Sequence, residues 1–299
     1  MKKTIVVLCA TGKVGSKISE ILLKEGGHKV ILIARTADKL KTFKDMGAEV
    51  ISADITDVDV LADTFKNADS AYVMTPPSFT ATTYRAFQRE VGDGIIEAIQ
   101  KSGIKYIVNL SSCGAHMHES NGLIAGLTEL EVKLNQLNDV NVLHLRPAYF
   151  IDNVLLNIPL IKGMGINGTT ADADHQIPMV ATKDIAFIAA NHLINQDFKG
   201  KSVQPILGDR NYSFKELTSI IGRAIGKPEL QYVQFPIEQA KQAMISQGIS
   251  ADIANDITAM ESSLKNGIMN YEQRTIANSS PTSVEMFAKE VFAPLYNFL

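Results

Sequence analysis

The stretch Leu8-Cys9-Ala10-Thr11-Gly12-Lys13-Val14-Gly15 decides the fold of this chain. It follows the apolar run Thr4–Leu8. It leads into Val14, Ile18, Ile21 and Leu22, spaced i, i+4, i+7 and i+8, which marks one apolar face of a helix. Strand, glycine turn and amphipathic helix in that order make the first half of a βαβ unit. At such a turn, free backbone N–H groups at the helix N-terminus can receive a phosphate if no side chain blocks it. Gly12 permits that approach, and Gly15 lets the helix pack tightly on the strand. The spacing Cys9-x-x-Gly12-x-x-Gly15 matches a Gly-x-x-Gly-x-x-Gly dinucleotide turn, with Cys9 in the first glycine's place. The competing reading is a tight turn that holds no ligand.

Working outward, short apolar runs alternate with helical patterns. Strands are predicted at Thr4–Leu8, Lys29–Ala34, Glu49–Ala53, Ser70–Met74, Tyr106–Leu110 and Val140–Leu145. Several are nearly continuous Val, Ile and Leu, as in a parallel sheet covered on both faces. Helices are predicted at Thr36–Met46, Asp57–Phe65, Thr83–Ser102 and Gly122–Leu137. This alternation predicts an α/β fold, a doubly wound parallel sheet of Rossmann type. Residues 1–150 form the nucleotide-binding part, and 177–206 return to it with one more strand and helix. Residues 151–176 and 207–299 form a smaller, α-rich C-terminal cap, with helices at Phe214–Ile225, Ile237–Gln247, Asp252–Lys265 and Ser283–Tyr296. Thr282-x-x-Glu285 is a candidate cap for the last of them.

The end of the second strand bears on the choice of cofactor. Binders of NAD usually place an acid there for the ribose 2′-hydroxyl, whereas an arginine accommodates a 2′-phosphate. This strand ends Leu32-Ile33-Ala34-Arg35-Thr36, and Arg35 lies 20 residues beyond Gly15. With Lys13, Lys39 and Lys41 nearby in sequence, NADP(H) is favoured and NAD(H) remains possible. The alternative for these cations is a solvated face.

The bulk properties exclude several classes. The 299 residues are 45% hydrophobic, enough for a large core, and the formal net charge of −3 comes without like-charge blocks. That argues against nucleic acid or an anionic membrane surface as partner. The sequons Asn167-Gly168-Thr169 and Asn211-Tyr212-Ser213 carry little meaning if the chain stays in the cytoplasm. Only two cysteines, Cys9 and Cys113, are present, which fits a reducing, cytoplasmic setting. Met1-Lys2-Lys3 before the first apolar run resembles a signal peptide's start, but the run is short and enters the glycine turn. No run approaches the ~20 apolar residues of a membrane span. The two thiols follow the first and fifth strands. With the fourth strand between them they are roughly 10 Å apart, beyond the ~7 Å Cα separation a disulfide can bridge, so both are expected free.

Further segments carry a family resemblance. Ala10-Thr11-Gly12-x-x-Gly15 is joined by Ser52-Ala53-Asp54-Ile55-Thr56-Asp57 after the third strand and Asn109-Leu110-Ser111-Ser112 at the end of the fifth. Leu145-Arg146-Pro147-Ala148-Tyr149-Phe150-Ile151-Asp152-Asn153 and Val180-Ala181-Thr182-Lys183-Asp184-Ile185-Ala186 follow. In order and spacing the set resembles the NmrA-like family of atypical short-chain dehydrogenases/reductases, over nearly the whole chain. The resemblance implies cofactor contacts at Thr11, Gly12, Lys13, Val14, Gly15, Arg35, Lys39, Asp54, Ile55, Thr75, Pro76, Ser111, Pro147, Tyr149 and Phe150. It implies one of two roles. The first is an NAD(P)H-dependent reductase of a quinone-like or other small apolar acceptor. The second is a dinucleotide-sensing regulator that acts through a protein partner without turnover. A homodimer is compatible with either.

The Tyr-x-x-x-Lys pair of the classical short-chain enzymes is absent. The corresponding helix reads Gly126-Leu127-Thr128-Glu129-Leu130-Glu131-Val132-Lys133. Glu129 and Lys133 are expected to form an i,i+4 ion pair rather than an acid–base couple. Carbinol dehydrogenase and epimerase chemistry is therefore disfavoured. Quinone reduction asks less, because positioning supplies much of the rate. Ser111 and Tyr149 are the candidate catalytic groups, with His116 a further proton source from the loop after the fifth strand. Ordinary core packing is the alternative for Tyr149 and Phe150. His116, His118 and Glu119 could ligate zinc, but no third and fourth ligands stand out, and no metal is expected. Met244, Ile245, Ile249, Ile253, Ile257, Met260 and Leu264 could line an adaptable pocket or be plain core.

Overall fold

In the computed structural model, which describes residues 2–117, 122–267 and 272–299, strand β1 (Thr4–Val7) separates two cores. Ile5 and Val7 enter one core and Val6 the other, as the two-residue repeat of a strand requires. The chain continues α1 (Gly15–Glu25), β2 (Lys29–Ala34), α2 (Lys41–Asp45), β3 (Glu49–Ser52), α3 (Val58–Phe65), β4 (Ser70–Val73), α4 (Tyr84–Ser102), β5 (Tyr106–Leu110), α5 (Ala125–Asn135) and β6 (Asn141–Pro147). Then come β7 (Tyr149–Phe150), α6 (Ile158–Met164), β8 (Ile166–Thr169), β9 (Ile177–Val180), α7 (Thr182–Asn195), β10 (Lys201–Ile206), β11 (Asn211–Tyr212), α8 (Phe214–Ala224), β12 (Gln231–Gln234), α9 (Ile237–Ser246), α10 (Ala251–Ser263), α11 (Val284–Phe287) and α12 (Ala293–Phe298).

Seven strands form one parallel sheet in the order β10-β6-β5-β4-β1-β2-β3. Helices α1 and α7 pack together on one side, and α3, α4 and α5 on the other. The doubly wound fold is therefore as the alternation predicted. The chain runs outward from β1 through β2 and β3, then restarts on the opposite side at β4. The carboxyl ends of β1 and β4 thus bound the crevice where ligands of such sheets bind. Within 177–206, β10 pairs with β6 from Lys201↔Val142 to Ile206↔Pro147, whereas β9 pairs with β7 and β11 outside the main sheet.

The C-terminal part holds helices α8 to α12 and two small sheets, β11-β9-β7 and β12-β8. Two helices are less regular than the sequence suggested. Thr36–Met46 is a short 3₁₀ turn, Ala37–Leu40, followed by α2. The last helix is interrupted by a π-helical stretch, Ala288–Phe292, before α12. Pro294 has no N–H for the carbonyl one turn earlier, which disturbs the ladder there. Ser283, not Thr282, caps α11, accepting from the Met286 N–H at 3.1 Å. Thr282 instead donates its N–H and hydroxyl to Asp184, at 3.0 and 2.7 Å.

The expected Glu129–Lys133 pair does not form. Arg85 and Arg89 of α4 both reach Glu129, with Arg89 Nε and Nη2 each 3.0 Å from it, and Lys133 turns to Asp93. A forked guanidinium matches a carboxylate better than a point ammonium does. Cys9 and Cys113 are both free thiols.

Candidate cofactor and active site

The glycine turn is built on close backbone contact. Cys9 has a φ of 53°, the left-handed region that favours glycine. Its carbonyl accepts from the Gly12 N–H at 2.8 Å. A Cβ on Gly15 would stand 2.4 Å from that same oxygen, and one on Gly12 3.2 Å. Glycine is thus a steric requirement at Gly15, while at Gly12 a Cβ would sit tightly against the same oxygen. The N–H groups of Thr11, Lys13 and Val14 donate to no other described residue, which leaves the donor array of an anion site.

Burial pushes the Cys9 thiol up to about 12, with Arg35 opposing and Asp54 reinforcing the shift. Those couplings show that the ends of β2 and β3 converge on the turn. Arg35 and Lys39 are exposed. Asp54 Oδ1 accepts from the Thr56 N–H at 3.0 Å and its hydroxyl at 2.8 Å. These bonds, with help from Arg35, hold the carboxyl below its ordinary range. Ile55 is buried beside it. Lys13 does not join the Arg35 cluster. Its Nζ donates to Asn153 Oδ1 at 3.2 Å and to the Asp152 carbonyl at 3.4 Å, and burial lowers its pKa.

On the other side of the crevice, Thr75 follows β4 with its hydroxyl buried and without a hydrogen-bond partner among the described residues, and Pro76 is half-buried. Ser111 follows β5, its N–H bonded to the Leu145 carbonyl at 2.8 Å, and the Cys113 N–H reaches the Pro147 carbonyl at 2.9 Å. These bonds seat the β5 loop along the end of β6, just before Tyr149 and Phe150. Tyr149 is buried with its ring edge-on to Phe214, centroids 5.2 Å apart. Burial, then Glu261 and Tyr232, push its hydroxyl well above the usual tyrosine range, with the nearby Asn153 side chain opposing the shift. Asn153, which accepts from Lys13 of the glycine turn, thus lies near Tyr149. His116 is half-buried in the same loop as Ser111. His118 and Glu119, the other members of the zinc reading, lie outside the described residues. Among the described residues no three His, Cys, Asp or Glu side chains cluster as a metal site.

Two inward-facing acids, the buried Glu131 and the half-buried Glu261, were missed in the sequence. Glu131 faces inward from α5 and takes Arg146 in a two-point ion pair, Nε–Oε1 2.9 Å and Nη2–Oε2 2.5 Å. Burial raises its pKa, but Arg146, His144 and Ser111 outweigh that and keep it charged. Ser111 Oγ approaches this carboxylate without hydrogen-bond alignment. Behind the pair, His144 accepts at Nδ1 from Asn109 Nδ2 (3.1 Å) and donates from Nε2 to Asn135 Oδ1 (3.0 Å). Burial lowers its pKa to about 4, so it is neutral. The signal for Glu131 was available: it lies four residues after Leu127 and three before Leu134, inside an apolar stripe.

The second acid, Glu261, reaches in from α10. Its Oε2 accepts from the Thr170 N–H at 3.0 Å and the Thr170 hydroxyl at 2.6 Å. Tyr232 stacks on Phe214 with centroids 5.7 Å apart, and its hydroxyl bonds Thr169 Oγ1 and the Ala171 carbonyl at 2.9 and 2.8 Å. Nothing in the local sequence Thr258-Ala259-Met260-Glu261-Ser262 separates this residue from a solvated helix acid.

Comparison with known proteins gives the same outline. The NmrA-like family model matches residues 1–291. The NAD(P)H azoreductase of Xenophilus azovorans is 24% identical over 259 residues, covering 86% of each chain. An NADPH-dependent quinone oxidoreductase of Escherichia coli, crystallised with NADPH, superposes with a TM-score of 0.76 at 21% identity, over 96% of this chain and 99% of that one. NmrA, a negative transcriptional regulator crystallised with NADP, gives 0.74 at 15% identity over 99% and 97%. At these identities the superpositions establish the fold alone.

Proposed function

The chain belongs to the NmrA-like family, and from that premise we propose that it is an NADPH-dependent reductase of a quinone-like or other small, flat, apolar acceptor. One observation carries the reading. At the switch point of the sheet, a glycine turn with unused N–H groups meets an arginine at the end of β2. The residues fit a dinucleotide: a Cβ at Gly15 would spoil the turn, one at Gly12 would crowd it, and the buried Thr75 hydroxyl has no partner among the described residues. In this reading Thr11, Gly12, Lys13, Val14 and Gly15 hold the pyrophosphate. Arg35 and Lys39 hold the 2′-phosphate, and Asp54 and Ile55 flank the adenine. Thr75, Pro76, Ser111, Pro147, Tyr149 and Phe150 surround the reactive end. NADH would bind by the same turn with less affinity.

When bound, the reduced nicotinamide supplies a hydride. The protein's own part is positioning and exclusion of water. Tyr149 keeps its proton across the whole working pH range, so it acts as a hydrogen-bond donor and not as a base. Ser111 offers a second hydroxyl, and His116 of the same loop a further proton source. The azoreductase and the quinone oxidoreductase support the choice of acceptor class. The likeness to NmrA supports a second reading, a dinucleotide sensor with a protein partner. The purified protein should oxidise NADPH when given a panel of quinones, followed at the reduced-nicotinamide absorbance. Tight NADPH binding with no turnover of any acceptor would reject the reductase in favour of the sensor.

A further inference from the structure

Helices α9 and α10 form a hairpin with two unlike ends. Its base is fixed in the cap. Before α9, the Phe235 N–H donates to the Thr169 carbonyl at 2.8 Å. Late in α10, Glu261 takes both Thr170 donors, and Leu264 just beyond the helix is buried in the main core. Thr169 in turn meets the hydroxyl of Tyr232, which stacks on Phe214, the ring that Tyr149 packs against. The tip of the hairpin is Gln247-Gly248-Ile249-Ser250, where Gly248 turns with a φ of 87°. It rests on the nucleotide-binding part. The Ser250 N–H donates to the Phe79 carbonyl at 3.0 Å, and Asp252 Oδ2 accepts from the Tyr84 N–H at 2.7 Å. One turn later the Asp256 carbonyl comes so near Gly122 that a Cβ there would stand 2.6 Å from it. Phe79 shares the loop after β4 with Thr75, and Gly122 shares the connection after β5 with Ser111. The hairpin therefore runs from the Tyr149 side of the crevice to the two loops that carry Thr75 and Ser111.

The hold at the tip is slight. Helix α9 buries none of its residues. An open cavity of about 850 Å³ lies among α10, α4 and α5, with Asp252 and Asp256 on one wall and Thr83 and Arg85 on another. Beside it, Asp252 supplies what α4 lacks. Thr83, at the N-cap of α4, makes no side-chain cap bond among the described residues, and the first turn holds no acid. A carboxylate on a free N–H at the positive end of a helix is a charge-assisted bond.

We propose that the α9–α10 hairpin is a strap over the reactive end of the crevice, hinged at its base in the cap and latched at its tip by Asp252. The inference rests on the cofactor placement above, in which Thr75, Ser111 and Tyr149 surround the nicotinamide. Release of the latch frees the tip from both loops, so the nicotinamide end and the acceptor can enter and leave. Reclosure keeps water from the hydride donor. Opening exchanges a few polar contacts for water and leaves the base intact, as a segment of low local stability does.

Two variants test the strap. Asp252→Ala removes the latch, a hydrogen bond to a charged group. Amide exchange across residues 237–256 should quicken about 10- to 100-fold, while β12 and the main sheet stay as protected as in wild type. Should D252A fail to fold, Asp252→Asn keeps an acceptor without the charge and should give a smaller increase in the same segment. Phe79→Cys combined with Ser250→Cys allows the tip to be tied to the β4 loop. When oxidised, that protein should release NADPH, followed by its fluorescence during displacement by excess NADP, at least ~10-fold more slowly than wild type. When reduced, it should match wild type. Exchange that is unchanged in D252A, or faster throughout the sheet, would overturn the inference. So would a double variant that does not cross-link, or one that releases NADPH at the wild-type rate when cross-linked. Wild-type protein that binds no NADPH would instead refute the cofactor placement, and the gating role with it.

Discussion

Gly15→Ala is the most direct test of how the turn is built. The new Cβ would sit 2.4 Å from the Cys9 carbonyl oxygen, 3.1 Å from its carbon and 3.3 Å from Ala10 Cα. All three are backbone atoms, so no side chain can rotate away. Reaching an ordinary 3.4 Å contact requires α1 to withdraw from β1 by about 1 Å. Overpacking of this kind costs about 1–3 kcal/mol, and the helical gain from glycine to alanine offsets ~0.5–1 kcal/mol. The net loss of about 1–2 kcal/mol should lower Tm by roughly 2–6 °C. The shifted N–H groups would also miss the pyrophosphate; a lost bond to a charged group is ~1.5–3 kcal/mol, or about 10- to 100-fold in NADPH affinity. Gly163→Ala is the control. It is exposed in α6 with nothing within 4 Å of the new Cβ. That substitution should leave affinity alone and raise Tm slightly. Calorimetry and an NADPH fluorescence titration on both variants decide the matter. G15A matching wild type in both measurements would refute the reasoning.

Four further outcomes are expected. Arg35→Glu should weaken NADPH binding by about 10- to 100-fold while barely changing NADH, because only NADPH carries the 2′-phosphate; equal losses for both cofactors would contradict the assignment. His144 is depressed from 6.5 to about 4, so its contribution to stability is present above pH 6.5 and is lost as pH falls towards 4. Denaturant melts should show that decline, and NMR of the ring should give a midpoint near 4. Glu131→Ala would remove the carboxylate that holds the half-buried Arg146 at two points and should cost about 1.5–3 kcal/mol in urea unfolding. Native protein at pH 8 should react very slowly with a thiol reagent, since Cys113 is buried and burial holds Cys9 at about 12; full labelling should appear only on unfolding.

Local patterning made the sheet legible. The β1 turn, the apolar strands and the helical stripe of α1 all pointed to one topology, and each reflects interactions within about 30 residues. Arg35 was legible for the same reason, since its place follows from where β2 stops. What escaped was set by distant partners. Glu129 was paired with Lys133 by spacing alone, but two arginines of α4 claim it. Thr282 was read as a cap because nothing in its neighbourhood announces Asp184, 98 residues away. Lys13 was grouped with Arg35 by proximity in sequence, whereas its ammonium extends to Asn153. Glu261 joins Thr170 across 91 residues, and only the folded cap brings the two together.

The central claim is that the turn from Leu8 to Gly15, with Arg35 beside it, binds NADPH. Isothermal titration of the purified protein with NADPH and, separately, NADH tests it most directly. The account predicts one saturable site per chain with tighter binding of NADPH. No binding of either nucleotide, or an affinity that ignores the 2′-phosphate, would contradict it.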